Sequence, residues 1–287
     1  MHRLWPIVTV LGVILVLWYA AVVWMNAPWV QDQAARAKTT VSFAQLVPQT
    51  MNLDRPVLPA PHQVAAELGR SVFGLAVTSK KSLVYHAWVT ISATLLGFAM
   101  GTAFGILLAV GIIHNRAMDQ SVMPWAIASQ TIPILAIAPM IIVVLSSLGV
   151  QGLVPKAIIS AFLSFFPVLV GMVKGLQSPD AMQLDLMQTW NASGAQGFWK
   201  LRLPASLPYL FASLKVAIAA ALVGAIVGEL PTGAIEGLGA RMLIGSQFGE
   251  PLIMWAALVA AAVLAGGLIV IVGLLQTIVG RRLGTPA

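Results

Sequence analysis

The sequence predicts an all-α, polytopic membrane protein: six transmembrane helices, with a polar helical elbow on the cytoplasmic side between the fourth and fifth. Three observations lead there. Of its 287 residues 59% are hydrophobic and only 9% charged, with a mean hydropathy of +0.91. Long charge-free runs recur along the chain. One polar stretch, residues 178–204, interrupts them where no span fits. A soluble domain carries about 25% charged residues, so lipid rather than water is the main solvent here. There is no Cys, which excludes disulfides and thiolate metal sites and leaves the redox compartment open. The net charge of +7 comes from basic residues scattered singly, with no dense Lys/Arg run. That balance suits lipid head groups and topology, and no nucleic-acid partner is expected.

A span needs roughly 20 apolar residues to cross about 30 Å of hydrocarbon at about 1.5 Å per residue. Nothing is charged between Arg3 and Asp32, Lys81 and Arg116, Asp119 and Lys156, or Glu250 and Arg281, which gives four helices. A fifth fits between Gly152 and Gly175, where Lys156 and Lys174 lie near opposite ends and can snorkel to the interfaces. The sixth runs from Pro208 to Glu229, with Lys215 as its internal charge. The first run exceeds the usual signal-peptide core of roughly 7 to 15 residues, so residues 1–28 are expected to be a retained anchor. Residues 29–82 follow as an extracytoplasmic linker and residues 83–287 as the transmembrane core. Pro48, Pro56, Pro59 and Pro61 exclude a continuous helix in the linker, leaving Pro61 to Leu75 as a short amphipathic piece.

Orientation follows from the basic residues. Arg116, Lys200, Arg202, Arg281 and Arg282 mark the inside, whereas the loop from Leu230 to Glu250 carries Arg241 as its basic residue. Both termini are expected to be cytoplasmic. The segment from Asn26 to Ser82 opposes this with Arg36, Lys38, Arg55, Arg70, Lys80 and Lys81, but its length weakens its vote.

Within the second span, Ala93, Gly97, Gly101, Gly105 and Ala109 recur every fourth position, a smooth face against which another helix can pack closely. The third span contains Pro124, Pro133 and Pro139, each lacking a backbone donor. Broken membrane helices face protein or a water-lined cavity. Gln130 and Thr131, beside Pro133, therefore mark either the wall of a translocation path or a kink that shapes the bundle.

In the elbow, Ser178-Pro179-Asp180 reads as an N-cap, a first-turn proline and an acidic residue at the positive end of a helix dipole. Met182, Leu186 and Trp190 then share one face, with Met187 beside them. Asn191 suits the left-handed residue that stops such a helix. A second short segment, Gln196 to Arg202, must end before Pro204. The whole is too polar for lipid and too apolar for a plain loop, which suits a docking surface for another protein.

These residues resemble the inner-membrane permeases of binding-protein-dependent ABC importers, and in particular the nitrate, sulfonate and taurine branch. The family signature has an acidic residue, two alanines, a glycine four positions after the second alanine, and an apolar residue, a spacer and Leu-Pro at its end. Asp185 stands at the acidic position, Leu186 and Met187 at the alanines, Asn191 at the glycine, Leu201 at the apolar position and Leu203-Pro204 at the close. The spacing is intact and four identities depart, Leu186 and Met187 being bulkier than Ala. Leu58-Pro59-Ala60-Pro61, Thr131-Ile132-Pro133, Ala138-Pro139, Lys215, Glu229 and Gly237-Leu238-Gly239 are similar to further family features, so the resemblance runs from about Leu58 to Leu283.

What the resemblance implies is a bacterial inner-membrane subunit in which two permease chains, identical or related, line one path. Two ABC ATPase subunits grip the elbows, and an extracytoplasmic substrate-binding protein delivers the solute. The coupling residues would be Asp185, Leu186, Met187, Trp190, Asn191, Leu201, Leu203 and Pro204. The path or gate would involve Gln130, Thr131, Pro133, Pro139 and Glu229. The solute would be a small anion, a sulfonate or a heteroaromatic precursor.

Absent motifs agree with that division of labour. No Gly-x-x-x-x-Gly-Lys-Ser/Thr loop is present to cradle phosphates, so ATP is expected to bind a separate subunit. His2, His62, His86 and His114 lie far apart, and neither a metal nor a cofactor is expected. No catalytic set can be assembled, which leaves an ion-coupled secondary transporter as the alternative. Such a transporter should show inverted repeats and paired ionisable residues near the membrane centre, and neither is visible. Lys215 would be costly facing lipid, and near the cytoplasmic end it can snorkel to the interface. Glu229 is unfavourable beside the negative end of its helix dipole. It is either solvated or held by a basic partner group or a backbone donor in the loop from Gly233 to Gly239.

Overall fold

A computed structural model describes residues 4–230 and 235–283. His2, Arg3 and the Pro231–Ala234 stretch lie outside the described residues, Gly233 of the expected donor loop among them. The described residues form helices and connections, in the order α1 (Leu4–Arg36), α2 (Phe43–Met51), α3 (Pro61–Phe73), α4 (Leu83–His114), α5 (Arg116–Ser129), α6 (Ile134–Ser147), α7 (Leu153–Leu176), α8 (Ala181–Thr189), α9 (Gly194–Gly197), α10 (Leu203–Gly228), α11 (Leu238–Gln247) and α12 (Pro251–Leu283). The chain is all-α and polytopic.

Five helices, α1, α4, α7, α10 and α12, are long and apolar enough to cross a membrane. The expected third span is α5 and α6, which meet at an angle of 98°. Each has 14 residues and reaches only about 21 Å, so neither crosses alone; counted as one broken span they would bring the number of candidate spans to six. Of the three prolines, only Pro133 breaks the helix. It occupies the N-cap of α6, while Pro124 and Pro139 are carried inside α5 and α6.

The chain divides into two units. The first comprises residues 1–86 and 240–261, the second residues 87–239 and 262–287. In the first, α1 does not stop at residue 28 but continues through Pro28 to Arg36. Its C-terminal half is fastened to the linker by the buried Asn26, whose Nδ2 donates to the carbonyls of Thr50 and Leu58, both at 3.0 Å. Asn26 Oδ1 accepts from Val57 N at 2.9 Å and Leu58 N at 3.2 Å. Trp18 Nε1 donates to Pro59 O at 3.1 Å. The linker holds α3 as expected and also α2, which the prolines had argued against. Pro48 removes a single backbone bond from so short a helix, and Asn52 Nδ2 donates to its carbonyl at 2.9 Å.

In the second unit α7 is the central rod. Against α4, a Cβ built on Gly97 would overlap Ser160, and one on Gly101 would overlap Ser164 Oγ. One on Gly105 would lie 2.7 Å from Phe165 O. The small-residue stripe therefore faces α7 and is required by backbone contact. Against α10, α7 runs antiparallel: Gly175 meets Ser206, Gly171 meets Ser213, Ser160 meets Gly224 and Lys156 meets Gly228. Ser160 Oγ donates to Ala221 O at 2.8 Å, supplying the polar link of that seam. Phe165, Leu169, Met172 and Leu176 of α7 form the main buried cluster with Ala109, Ile112 and Ala126.

Candidate functional site

The elbow is built from local hydrogen bonds. Ser178 does not cap the helix that follows; its Oγ donates back to Gly175 O at 2.7 Å and helps finish α7. The cap of α8 is Asp180. Its Oδ1 accepts from Gln183 N at 2.8 Å, and Asp180 N donates to Gln183 Oε1 at 3.3 Å, a reciprocal box. A carboxylate at this N-terminus also meets the positive end of the helix dipole. Asn191 stops the helix with φ of +53°, and Ala192 N donates to Met187 O at 3.0 Å. Ser193 and Gln196 form a second box that starts α9.

The expected break before Pro204 does not occur. From α9 the chain passes through a π-helical turn, Phe198–Arg202, straight into α10, with Pro204 in the first turn of α10. A proline there gives up one backbone hydrogen bond to the preceding turn. The wider turn also takes up the register that Pro204 would otherwise disturb.

The elbow has two faces. Met182 is 81% exposed, Trp190 71% and Trp199 66%, and Asp185, Leu186, Asn191 and Pro204 are also exposed. No residue of α8 is buried. The other side turns inward. Phe198 and Leu203 pack on the main buried cluster, the Phe198 ring lies 5.1 Å from that of His114, and Met187 and Leu201 are half-buried. Of the eight expected coupling residues, then, five point outward and three support them. A nine-residue helix showing Met182 and Leu186, with Trp190 at its C-cap, around a carboxylate is unfilled apolar surface of the kind that a partner covers.

At the far end of α10 lies the second constellation. Glu229, the residue after α10, is fully buried. Its Oε1 accepts from Thr90 Oγ1 at 2.9 Å and its Oε2 from Gly239 N at 2.8 Å. Lys156 Nζ stands 3.9 Å from Oε1 and donates to Glu236 O at 3.1 Å. Thr90 Oγ1 in turn accepts from Leu238 N at 2.9 Å. The expected backbone donor is thus Gly239, and the solvated alternative for Glu229 is excluded. The glycines have a physical reason: Gly237 has φ of +120°, and a Cβ on it would overlap the Glu229 carboxylate.

Sequence reasoning missed Lys156 and Thr90 as partners of Glu229. Lys156 was read as snorkelling, although a cation and a carboxylate at the same membrane face were a readable signal. Thr90 offered none. Gln130, Thr131 and Pro133 sit exposed at the apex of the α5–α6 bend, and Pro139 is half-buried within α6. Thr131 Oγ1 donates to Ala128 O at 2.8 Å. No metal-binding group of His, Asp or Glu occurs among the described residues.

Comparison with known proteins fits this arrangement. Residues 101–285 match the binding-protein-dependent transport system inner membrane component family. A probable ABC transporter permease protein of Haemophilus influenzae is 31% identical over 75% of this chain and 82% of its own length. The formylaminopyrimidine transport permease protein ThiX of Halalkalibacterium halodurans is 32% identical over 68% and 74%. The riboflavin transport system permease protein RibX of Chloroflexus aurantiacus is 31% identical over 78% and 80%.

Proposed function

This chain belongs to the family of inner membrane components of binding-protein-dependent transport systems, and we propose that its solute is a small heteroaromatic compound. Two similar permeases are named for formylaminopyrimidine and riboflavin, which favours that class over a small anion or a sulfonate. As an ABC permease it is a multi-pass membrane protein. Two identical copies would line the path with their termini in the cytoplasm, and an extracytoplasmic binding protein would load it. ATP would be hydrolysed by two separate ATPase subunits.

The observation that carries the mechanism is the exposed face of α8. A partner groove that buries Met182, Leu186 and Trp190 gains about 25 cal/mol per Å² of apolar surface, and Asp185 gives that contact its charge. Met187, Leu201 and Leu203 hold the face in place from behind, Asn191 turns the chain, and Pro204 begins the helix that leaves the elbow. Gln130, Thr131, Pro133 and Pro139 at the α5–α6 break would contribute to the path wall, and Glu229 to its outer gate. The test is copurification. Asp185→Lys and Trp190→Ala should each lose the ATPase while the permease remains inserted and folded. Undiminished ATPase association in both variants would refute the docking role of α8.

A further inference from the structure

The elbow is tied to the bundle by a contact that neither docking nor the path requires. Arg202 Nη1 donates to Leu176 O at 2.9 Å. Leu176 is the last residue of α7 and fully buried. A helix C-terminus presents carbonyls without intrahelical donors and a partial negative charge, so a guanidinium is matched to it on both counts.

The π turn is what aims Arg202. Phe198 and Leu203 lie five residues apart, yet both pack on the main buried cluster. In an α-helix, five residues rotate about 140° past a full turn. A π turn, closed by Leu203 N donating to Phe198 O, brings residues five apart back to one side. Arg202 then falls one turn before Ser206. A Cβ built on Gly175 would lie 2.8 Å from Ser206 Cβ, so the inner end of α7 is gripped at both positions. About 30 Å away along α7 from Leu176, Lys156 is bonded to Glu236 O and stands beside Glu229.

We propose that Arg202 is a positioning residue that passes displacement of the elbow to α7, and through that rod to the Lys156–Glu229 end. The inference rests on the reading of α8 as the ATPase dock and extends it. A rod is a suitable carrier because α7 is held against α4 and α10 by backbone contacts, so it shifts as a body or not at all. If Arg202 only finishes a helix, its loss lowers stability and nothing else. If it transmits, its loss uncouples α7 from the elbow's response to nucleotide.

The experiment uses the full complex of permease, ATPase subunits and binding protein in lipid vesicles. The chain contains no Cys, so Gln151→Cys places one spin label on the exposed residue two positions before the start of α7. The probe is Mg·ATP trapped on the ATPase with vanadate. Trapping should change the label's mobility with Arg202 in place. The change should be lost in Arg202→Ala, with the ATPase still bound and still hydrolysing ATP, and should return in Arg202→Lys, which restores a donor. Arg202→Met keeps the stem without the donor, and stands in for Ala should that variant fail to insert. A wild-type response in Arg202→Ala or Arg202→Met overturns the proposal. So does an unresponsive label with Arg202 present, or Arg202→Lys as silent as Ala. Failure of the ATPase to copurify even with wild type would instead remove the docking reading, and this inference with it.

Discussion

Gly101 offers the sharpest test of the packing. A methyl group there would overlap Ser164 Oγ and stand 2.8 Å from Ala161 O and 3.1 Å from Phe165 N. Ser164 can rotate away, but the other two atoms are backbone of α7 and can yield only if the helices part. Overpacking of this kind costs about 1–3 kcal/mol, against a helix-propensity gain of about 1 kcal/mol for Ala over Gly. Gly266 on α12 is the control, because a Cβ built on it meets nothing within 4 Å and only the propensity gain remains. Gly101→Ala should therefore lie about 2 kcal/mol below Gly266→Ala in stability, the clash separating the two. At roughly 2–4 °C per kcal/mol for a chain of this size, the two melting temperatures should differ by about 4–8 °C. The assay is thermal unfolding in detergent, followed by the fraction still monodisperse. If Gly101→Ala melts level with Gly266→Ala or above it, the stripe does not face α7 and the reasoning fails.

Two further outcomes concern the far end of α10. Gly237→Ala must hold a side chain at φ of +120° and against the Glu229 carboxylate. It should cost about 2 kcal/mol or more from backbone strain alone, and an unchanged melting temperature would show that the loop is free to move aside. Glu229→Gln keeps an acceptor for Thr90 and Gly239 but loses the charge beside Lys156. Stimulation of ATP hydrolysis by loaded binding protein should fall while basal hydrolysis survives, and full stimulation in reconstituted vesicles would remove Glu229 from the gate.

Much of the fold was legible because a bilayer imposes a simple rule on composition. The charge-free runs located α1, α4, the α5–α6 pair and α12, since charge in hydrocarbon is expensive wherever it falls, and α7 and α10 were legible as apolar stretches with only Lys156, Lys174 and Lys215 inside them. The stripe from Ala93 to Ala109 was legible for the same kind of reason, a period of four on a helix. What was not legible depended on competition between neighbours. Ser178 and Asp180 are both good caps, and only the chain path decides which of them closes α7 and which opens α8. Pro204 reads as a breaker in isolation, and the π turn that accommodates it has no compositional signature. Thr90 and Lys156 lie 139 and 73 positions from Glu229, and their meeting depends on how α4, α7 and the 235–239 loop pack.

That meeting bears on how this end of α10 can move. A carboxylate at a helix C-terminus faces the wrong end of the dipole, and burying it there is tolerable only if every acceptor site finds a partner. Thr90 from α4, Gly239 from the start of α11 and Lys156 from α7 supply these together. Removing one leaves a buried charge undercompensated, a penalty larger than the net value of the bond itself. The arrangement therefore favours two discrete states, all partners engaged or the carboxylate released to water, over a graded opening. Lys156 is where such a release would begin. At 3.9 Å it is the longest of the three contacts, and its direct hydrogen bond goes to Glu236 O, so α7 can withdraw its charge before Thr90 or Gly239 must let go.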